Sequence, residues 1–260
     1  MTFVNRKTAI YVFLFFLAGL LWLWGVNDPY VGLYNTNNNY LTLAAKNFLR
    51  FGFANLHFLP TYFSSYPLPT HVDYYLNHPP LFFLLAAIPY MVFGFHNWVV
   101  HTATGLCTIG IIFFIYRIGT HVWGKKIGLW SALLASFFPM TGFFWKFMFF
   151  EQITLFFNLW ILYLFLVYRK KPNVKTLIII ALISFLCMQS DWYGAYLLFV
   201  FPLFLLFLPK RKETFHVFLV YGLSVAVSLS FFIFVGMVCL CFLLNFVYFL
   251  ATCSEFNYVI

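Results

Sequence analysis

Long apolar runs separated by short polar turns fill the chain after its first 78 residues. The runs cover roughly 80–95, 98–118, 127–145, 148–168, 176–190, 193–208 and 215–235, and a last one covers 237–251. Several approach the ~20 apolar residues that an α-helix needs to cross a bilayer. An earlier run, 8–26, follows Arg6 and Lys7. Trp22 and Trp24 stand where a signal-peptide cleavage site would need small residues, so this run reads as an uncleaved first helix with its tryptophans at the far interface. The pattern predicts an all-α, polytopic membrane protein with about 7–9 transmembrane helices. No repeat, low-complexity linker or second composition class divides residues 1–260, which read as one transmembrane domain.

Between the first two runs lies a mixed segment, 27–78, too polar to cross. Within it Leu41, Ala44, Ala45, Phe48 and Leu49 recur at helical spacing, while Lys46, Asn47 and Arg50 mark the other face and Gly52 supplies a stop. That spacing predicts an amphipathic helix lying in the membrane interface. The next run, 80–95, has 16 residues, which make about 24 Å of helix against a hydrocarbon core about 30 Å thick. It begins at Pro79-Pro80 and contains Pro89 and Gly94, so it reads as a bent helix on or partly within the outer face. Loop 27–78 then lies outside the cell.

Composition supports the membrane reading. Hydrophobic residues make up 64% of the chain and charged ones 8%, where a soluble domain needs about 25% charge. Mean hydropathy is +0.92. The five cysteines lie in or beside apolar segments without metal-ligand spacing, as membrane-core filler does. A net charge of +9 does not imply nucleic acid, because the basic residues fall in short loop clusters. Arg117, Lys125 and Lys126 form one, Arg169, Lys170, Lys171 and Lys175 a second, and Lys210, Arg211 and Lys212 a third. Two spans separate successive clusters, so all three face one side, expected to be cytoplasmic together with the N-terminus. The turns at Glu151 and Asp191 then face outward from the cell membrane.

Six acidic residues are present: Asp28, Asp73, Glu151, Asp191, Glu213 and Glu255. Glu213 adjoins the third basic cluster as a counter-charge, and Glu255 sits near the end of the chain. The other four share the outer side, where carboxylates held at helix ends are either solvated or functional. Glu151 lies in Phe149-Phe150-Glu151-Gln152 and Asp191 in Asp191-Trp192-Tyr193, each at a helix end among aromatics that suit an interfacial belt. At the end of the long loop stands Asn77-His78-Pro79-Pro80-Leu81. A histidine there could bind phosphate, relay a proton or cap a helix.

The order of these features resembles the GT-C superfamily. It is most similar to the bacterial and archaeal lipid-linked sugar transferases related to protein O-mannosyltransferases and lipid A aminoarabinose transferases. Ala45-Lys46-Asn47-Phe48-Leu49-Arg50-Phe51-Gly52 is similar to the A-R-N-Y-L-R-Y-G element of one branch. His78-Pro79-Pro80-Leu81 matches its H-P-P-L, Glu151 falls at an acidic helix start, and Asp191-Trp192 resembles its D-W. The resemblance implies a glycosyltransferase that moves a sugar from a polyprenyl-phosphate carrier to an acceptor glycan, lipid or protein outside the membrane. Such chemistry needs a carboxylate near the acceptor proton and groups that stabilise the leaving phosphate. The family's usual acid in the first outer loop is replaced here by Asn37-Asn38, whose amides cannot act as a base. The expected catalytic residues are therefore Asp28, Glu151 and Asp191, with Asp28 or Glu151 as base and Asp191 in support. Asn37, Lys46, Arg50, His78 and Lys146 are the expected substrate and phosphate ligands. No cofactor is expected, and related enzymes differ on divalent metals.

Members of the family usually continue through more spans into a C-terminal outer domain, so this chain reads as truncated or as a short member. The rival readings are an inactive membrane scaffold and a small-molecule transporter. A transporter would be expected to carry polar groups near midplane and internal repeats, whereas here the acids sit at span ends.

Overall fold

The computed structural model describes residues 35–64, 72–138 and 149–256 as continuous segments, with a few isolated positions outside them. Among the described residues the fold is all-helical, as the hydrophobic pattern predicts. Helix α1 spans Asn35–Phe51, α2 Leu81–Phe93, α3 Asn97–Trp123, α4 Lys125–Phe137, α5 Phe150–Lys170 and α6 Val174–Ser190. A 3₁₀ turn, Trp192–Ala195, leads into α7, Leu197–Phe207, and α8 spans Arg211–Phe256. Among the described residues, three stretches are long and apolar enough to cross a membrane: Asn97–Trp123, Phe150–Lys170 and Arg211–Phe234. Leu81–Phe93, Val174–Ser190 and Trp192–Phe207 are apolar but shorter.

The interior follows from helical periodicity. On α5, Ile153, Phe157, Ile161, Phe165 and Tyr168 recur every three or four residues and are buried. They meet α6 through Ile180, Ile183 and Cys187, and α8 through Val217, Tyr221 and Val225, all within one hydrophobic core. Leu155, Phe199, Leu206, Leu219, Leu223 and Val227 point outward, a surface that hydrocarbon solvates and water does not.

Helix α1 bears out the amphipathic reading, with a refinement. Leu41, Ala44, Ala45 and Phe48 are fully buried, and the helix packs on α2, where Thr42 Oγ1 and Tyr90 Oη lie 2.9 Å apart. The apolar face therefore covers protein. Gly52, at φ 88°, ends the helix. Asn47 departs from its expected place on the polar face: it is buried, and its Nδ2 donates to Thr61 O, Thr61 Oγ1 and Phe63 O at 3.1, 3.1 and 2.9 Å. Its role is to fasten the following loop to the helix.

Three boundaries also differ from the hydrophobic pattern. The helix begins at Asn35, so Asn35–Asn39 belong to it. Helix α4 stops at Phe137 because Phe138, which precedes a proline, takes an extended backbone at ψ 127°. The runs 215–235 and 237–251 join in one helix, Arg211–Phe256; a lone glycine, Gly236, separates them, and one glycine costs a helix only about 1 kcal/mol.

The helix ends sort the polar residues into two groups. At one end Arg169 donates to Pro209 O and Lys210 Nζ to Arg169 O at 2.9 Å, which joins the second and third basic clusters. Arg117, from the first, donates to Tyr163 near the same end of α5. Helix α5 has 21 residues, so its start lies about 30 Å from that end at about 1.5 Å per residue. That distance matches a hydrocarbon core.

Asn47→Ala removes the donors that hold Thr61 and Phe63 and is expected to cost about 1–3 kcal/mol. Thermal unfolding of the purified protein should show a lower midpoint, with faster proteolysis within 57–64. An unchanged midpoint and cleavage rate would count against the fastening role.

Candidate functional site

The short backbone turn between α6 and α7 fixes the first site residue. Asp191 ends α6, its N–H donating to Cys187 O at 3.3 Å, and it opens the 3₁₀ turn by accepting Trp192 N–H at Oδ1, 2.7 Å away. Gly194 makes the turn possible. A Cβ there would meet the backbone carbons of Cys187 and Met188 at 2.8 Å, closer than real contacts allow. Tyr221 of α8 donates to Gly194 O and locks the turn from the far side. Asp191 is thereby carried into the interior, 1% exposed.

The second residue comes from the loop before α2. His78 Nδ1 lies 2.9 Å from Asp191 Oδ1. The loop is held there a second time, since Trp192 Nε1 donates to Asn77 O at 2.6 Å. His78 is 28% exposed, so the ring shows one edge to the outside while the other meets the carboxylate. Phe150, first residue of α5, stacks on the imidazole at 4.2 Å and 12°. Tyr75 stacks on it at 5.9 Å and 17°. With Nδ1–H donated to Asp191, Nε2 becomes the acceptor of a neutral imidazole, or a second donor once protonated. Asp191 Oδ2 is buried and has no hydrogen-bond partner among the described residues. A buried carboxylate oxygen without a partner is costly.

His78-Pro79-Pro80, Phe150-Glu151 and Asp191-Trp192 thus meet at one point, at the end of α5 opposite the basic clusters. Glu151 follows Phe150 in the first turn of α5, where the helix dipole favours a carboxylate, and is exposed. Lys46 is not brought to His78. Its Nζ lies 5.3 Å from the ring of Phe95, just beyond the end of α2, whereas His78 precedes the start of that helix. The 13 residues of α2 put about 20 Å between them. Arg50 lies over Phe51 of its own helix at 6.0 Å. The backbone of Asn37 is in the first turn of α1. Asp28 and Lys146 lie outside the described residues.

Phe150, which the sequence places among interfacial aromatics, proves to be a site wall. Tyr40, Tyr62, Tyr75, Phe82, Phe83 and Phe150 enclose a cavity of about 400 Å³ beside His78. Burial, reinforced by the neighbouring Tyr75 and Tyr40 phenols, raises the pKa of Tyr62 well above the ordinary phenol value. Burial and then the charge of Asp191 raise that of Tyr75. Both hydroxyls therefore stay neutral at physiological pH. The density of tyrosine across Thr61–Tyr75 was the sequence signal for this wall, although a tally of aromatics alone does not separate it from a belt. No group of three or more His, Cys, Asp or Glu side chains placed to hold a metal occurs among the described residues.

Residues 77–237 match the family described as dolichyl-phosphate-mannose-protein mannosyltransferase. The chain belongs to that family. The matched span covers more than half of it, opens at Asn77 and contains His78, Glu151 and Asp191, so this mannosyltransferase family's own region holds the pair and both helix ends around it. Membership also bears out the likeness to GT-C-type membrane glycosyltransferases read from His78-Pro79-Pro80-Leu81. No curated protein matches the chain in sequence.

The buried carboxylate sets a stability test. His78→Ala leaves Asp191 Oδ1 with the Trp192 amide alone and is expected to cost about 1.5–3 kcal/mol, the worth of a hydrogen bond to a charged group. Asp191→Asn, which keeps an acceptor for Trp192 N–H but removes the charge, should recover most of that loss in the double variant. Denaturation midpoints of the single and double variants decide it: equal destabilisation would mean that the carboxylate is not charged in the folded protein.

Proposed function

We propose that the chain transfers a sugar from a polyprenyl-phosphate carrier to an acceptor on the outer face of the cell membrane, as a multi-pass protein with its N-terminus in the cytoplasm. The observation that carries this reading is the His78–Asp191 pair within the family-matched region. It gives a base a fixed tautomer, a buried anion behind it and an exposed edge in front.

In the reaction, Nε2 of neutral His78 takes the proton of the acceptor hydroxyl. The acceptor oxygen bonds to the anomeric carbon while the bond from that carbon to the carrier phosphate breaks, its electron pair leaving with the phosphate. The imidazolium so formed is stabilised by Asp191, which holds the ring through Nδ1. Asp191 is in this reading the positioning anion, and Glu151 a second carboxylate at the same mouth. Asp28 stays a candidate base from the sequence alone. Asn37 and Arg50 of α1 and Lys146 are the groups proposed for the phosphate. Lys46, near the far end of α2, is the least suited of the original set. The outward orientation is supported by the basic residues gathered at the opposite end of α5, where the positive-inside tendency places the cytoplasm.

Two experiments test the reading. With polyprenyl-phosphate mannose in lipid nanodiscs, donor hydrolysis to water gives a readout that needs no known acceptor. His78→Gln and Asp191→Asn should each lower its rate about 10²–10⁴-fold, and Glu151→Gln by less. Full rates in both of the first two would overturn the assignment. For orientation, single cysteines at positions 151 and 171 in intact cells should react with an impermeant maleimide at 151 and not at 171; the reverse pattern would invert the topology.

A further inference from the structure

At the end of α5 opposite His78, Arg169 and Lys210 are engaged with main-chain carbonyls. Three further basic residues share that end. Arg117 and His121 stand one turn apart on α3, Lys170 ends α5, and all three are exposed. The charges of Lys170 and Arg117 both act on His121, so the three form one cluster across two helices. Glu151 and Asp191 lie at the other end of α5, and no carboxylate among the described residues pairs with a member of the cluster. Like charges drawn together in this way raise the local potential and favour an anion.

Arg117 is the fixed member. It donates to Tyr163 of α5, and its guanidinium lies 4.9 Å from the Tyr163 ring and 5.7 Å from the Phe113 ring. A guanidinium held by one N–H keeps the rest of its fork for a phosphate.

The cluster stands at the end of an apolar track. Leu106, Ile109, Phe113, Arg117 and His121 recur every three or four residues and so share one face of α3. The first three are exposed. From Leu106 to Arg117 the helix rises about 16 Å, close to the about 15 Å of one leaflet's hydrocarbon. Trp123, exposed just beyond His121, sits where interfacial tryptophans lie.

We infer that this face of α3, with Lys170 of α5, binds a phospholipid of net negative headgroup such as phosphatidylglycerol. Its phosphate meets Arg117, His121 and Lys170, and an acyl chain lies along Leu106, Ile109 and Phe113. The track selects a lipid over a free phosphate, which has no apolar part to lay on it. The cluster selects a net-anionic headgroup over a zwitterionic one, because choline or ethanolamine would bring another cation among those already there. The site is separated from His78 by the 21 residues of α5, about 30 Å, and does not rest on the transferase reading.

The test uses the full chain in nanodiscs of equal parts phosphatidylglycerol and phosphatidylcholine. In one preparation the phosphatidylglycerol carries a mid-chain diazirine, and in the other the phosphatidylcholine carries the same chain. After illumination, mass spectrometry should place adducts between Leu106 and Phe113, about tenfold more from phosphatidylglycerol. Lys170→Gln should lower that preference about fivefold, and Arg117→Gln with Lys170→Gln should abolish it. Thermal midpoints are checked first, and Lys170→Gln alone serves if the pair is destabilised. Arg211→Gln with Lys212→Gln takes the same charge from exposed residues at the start of α8 and should leave the preference intact. Equal labelling by the two lipids in wild type would overturn the site. An equal fall in the Arg211 and Lys212 pair would overturn it too, by reducing the effect to surface charge at large. Loss of the lipid adducts on adding millimolar glycerol phosphate would do the same, since the anion would then bind without the apolar track.

Discussion

Asp191 is a carboxylate taken almost wholly out of water, and the arrangement of this end of the protein follows from the need to accommodate it. Its charge is opposed by the dielectric around it, so Oδ1 is supplied with two donors, the Trp192 amide and His78 Nδ1. The amide is local. The histidine comes from 113 residues away, and bringing it there fixes where the long loop must end and where α2 must begin. Pro79 and Pro80 restrict the backbone at that junction, and the Trp192 indole on Asn77 O ties the loop and the carboxylate turn together independently of the pair. Breaking the His78–Asp191 hydrogen bond therefore loosens this joint and leaves the Trp192 indole to hold the two segments together.

The turn bearing Asp191 is held by backbone contact. Gly194 lies so close to the final turn of α6 that no side chain fits between them, and Tyr221 closes it from α8. A carboxylate placed by main chain against main chain has little freedom to swing toward solvent, which is what a group meant to orient an imidazole requires. Stacking of Phe150 and Tyr75 on His78 restricts the ring in the remaining direction. Together these contacts define the imidazole plane, and the plane defines where a reacting hydroxyl can approach.

The positions of the helices, the amphipathic face of α1 and its stop at Gly52 were legible in the sequence, because each depends on residues close together along the chain. His78, Glu151 and Asp191 were legible singly, as polar groups at helix ends where hydrocarbon makes them expensive. The contact of His78 with Asp191 was not, since nothing in local spacing relates position 78 to position 191. Asn47 shows the same limit in reverse. By periodicity it belongs to the solvent face with Lys46 and Arg50, which stay exposed, but the loop that doubles back over it buries Asn47 and supplies carbonyls for its amide. The tyrosine wall escaped for a compositional reason: in a chain that is 25% aromatic, three more tyrosines are indistinguishable from interfacial anchors until their rings are seen to face one another.

At the opposite end of α5, the Arg169 guanidinium and the Lys210 ammonium each donate to a main-chain carbonyl across the α5–α7 corner. Those carbonyls lie where helices end and lack intrahelical partners. The same cations that would tell the insertion machinery which way to orient the chain thus complete the hydrogen bonding of its helix termini. Biogenesis and folding read one set of charges. Neutralising them to reverse the chain's orientation would unfasten the corner as well, so a failure of such a variant to accumulate would not by itself report on topology.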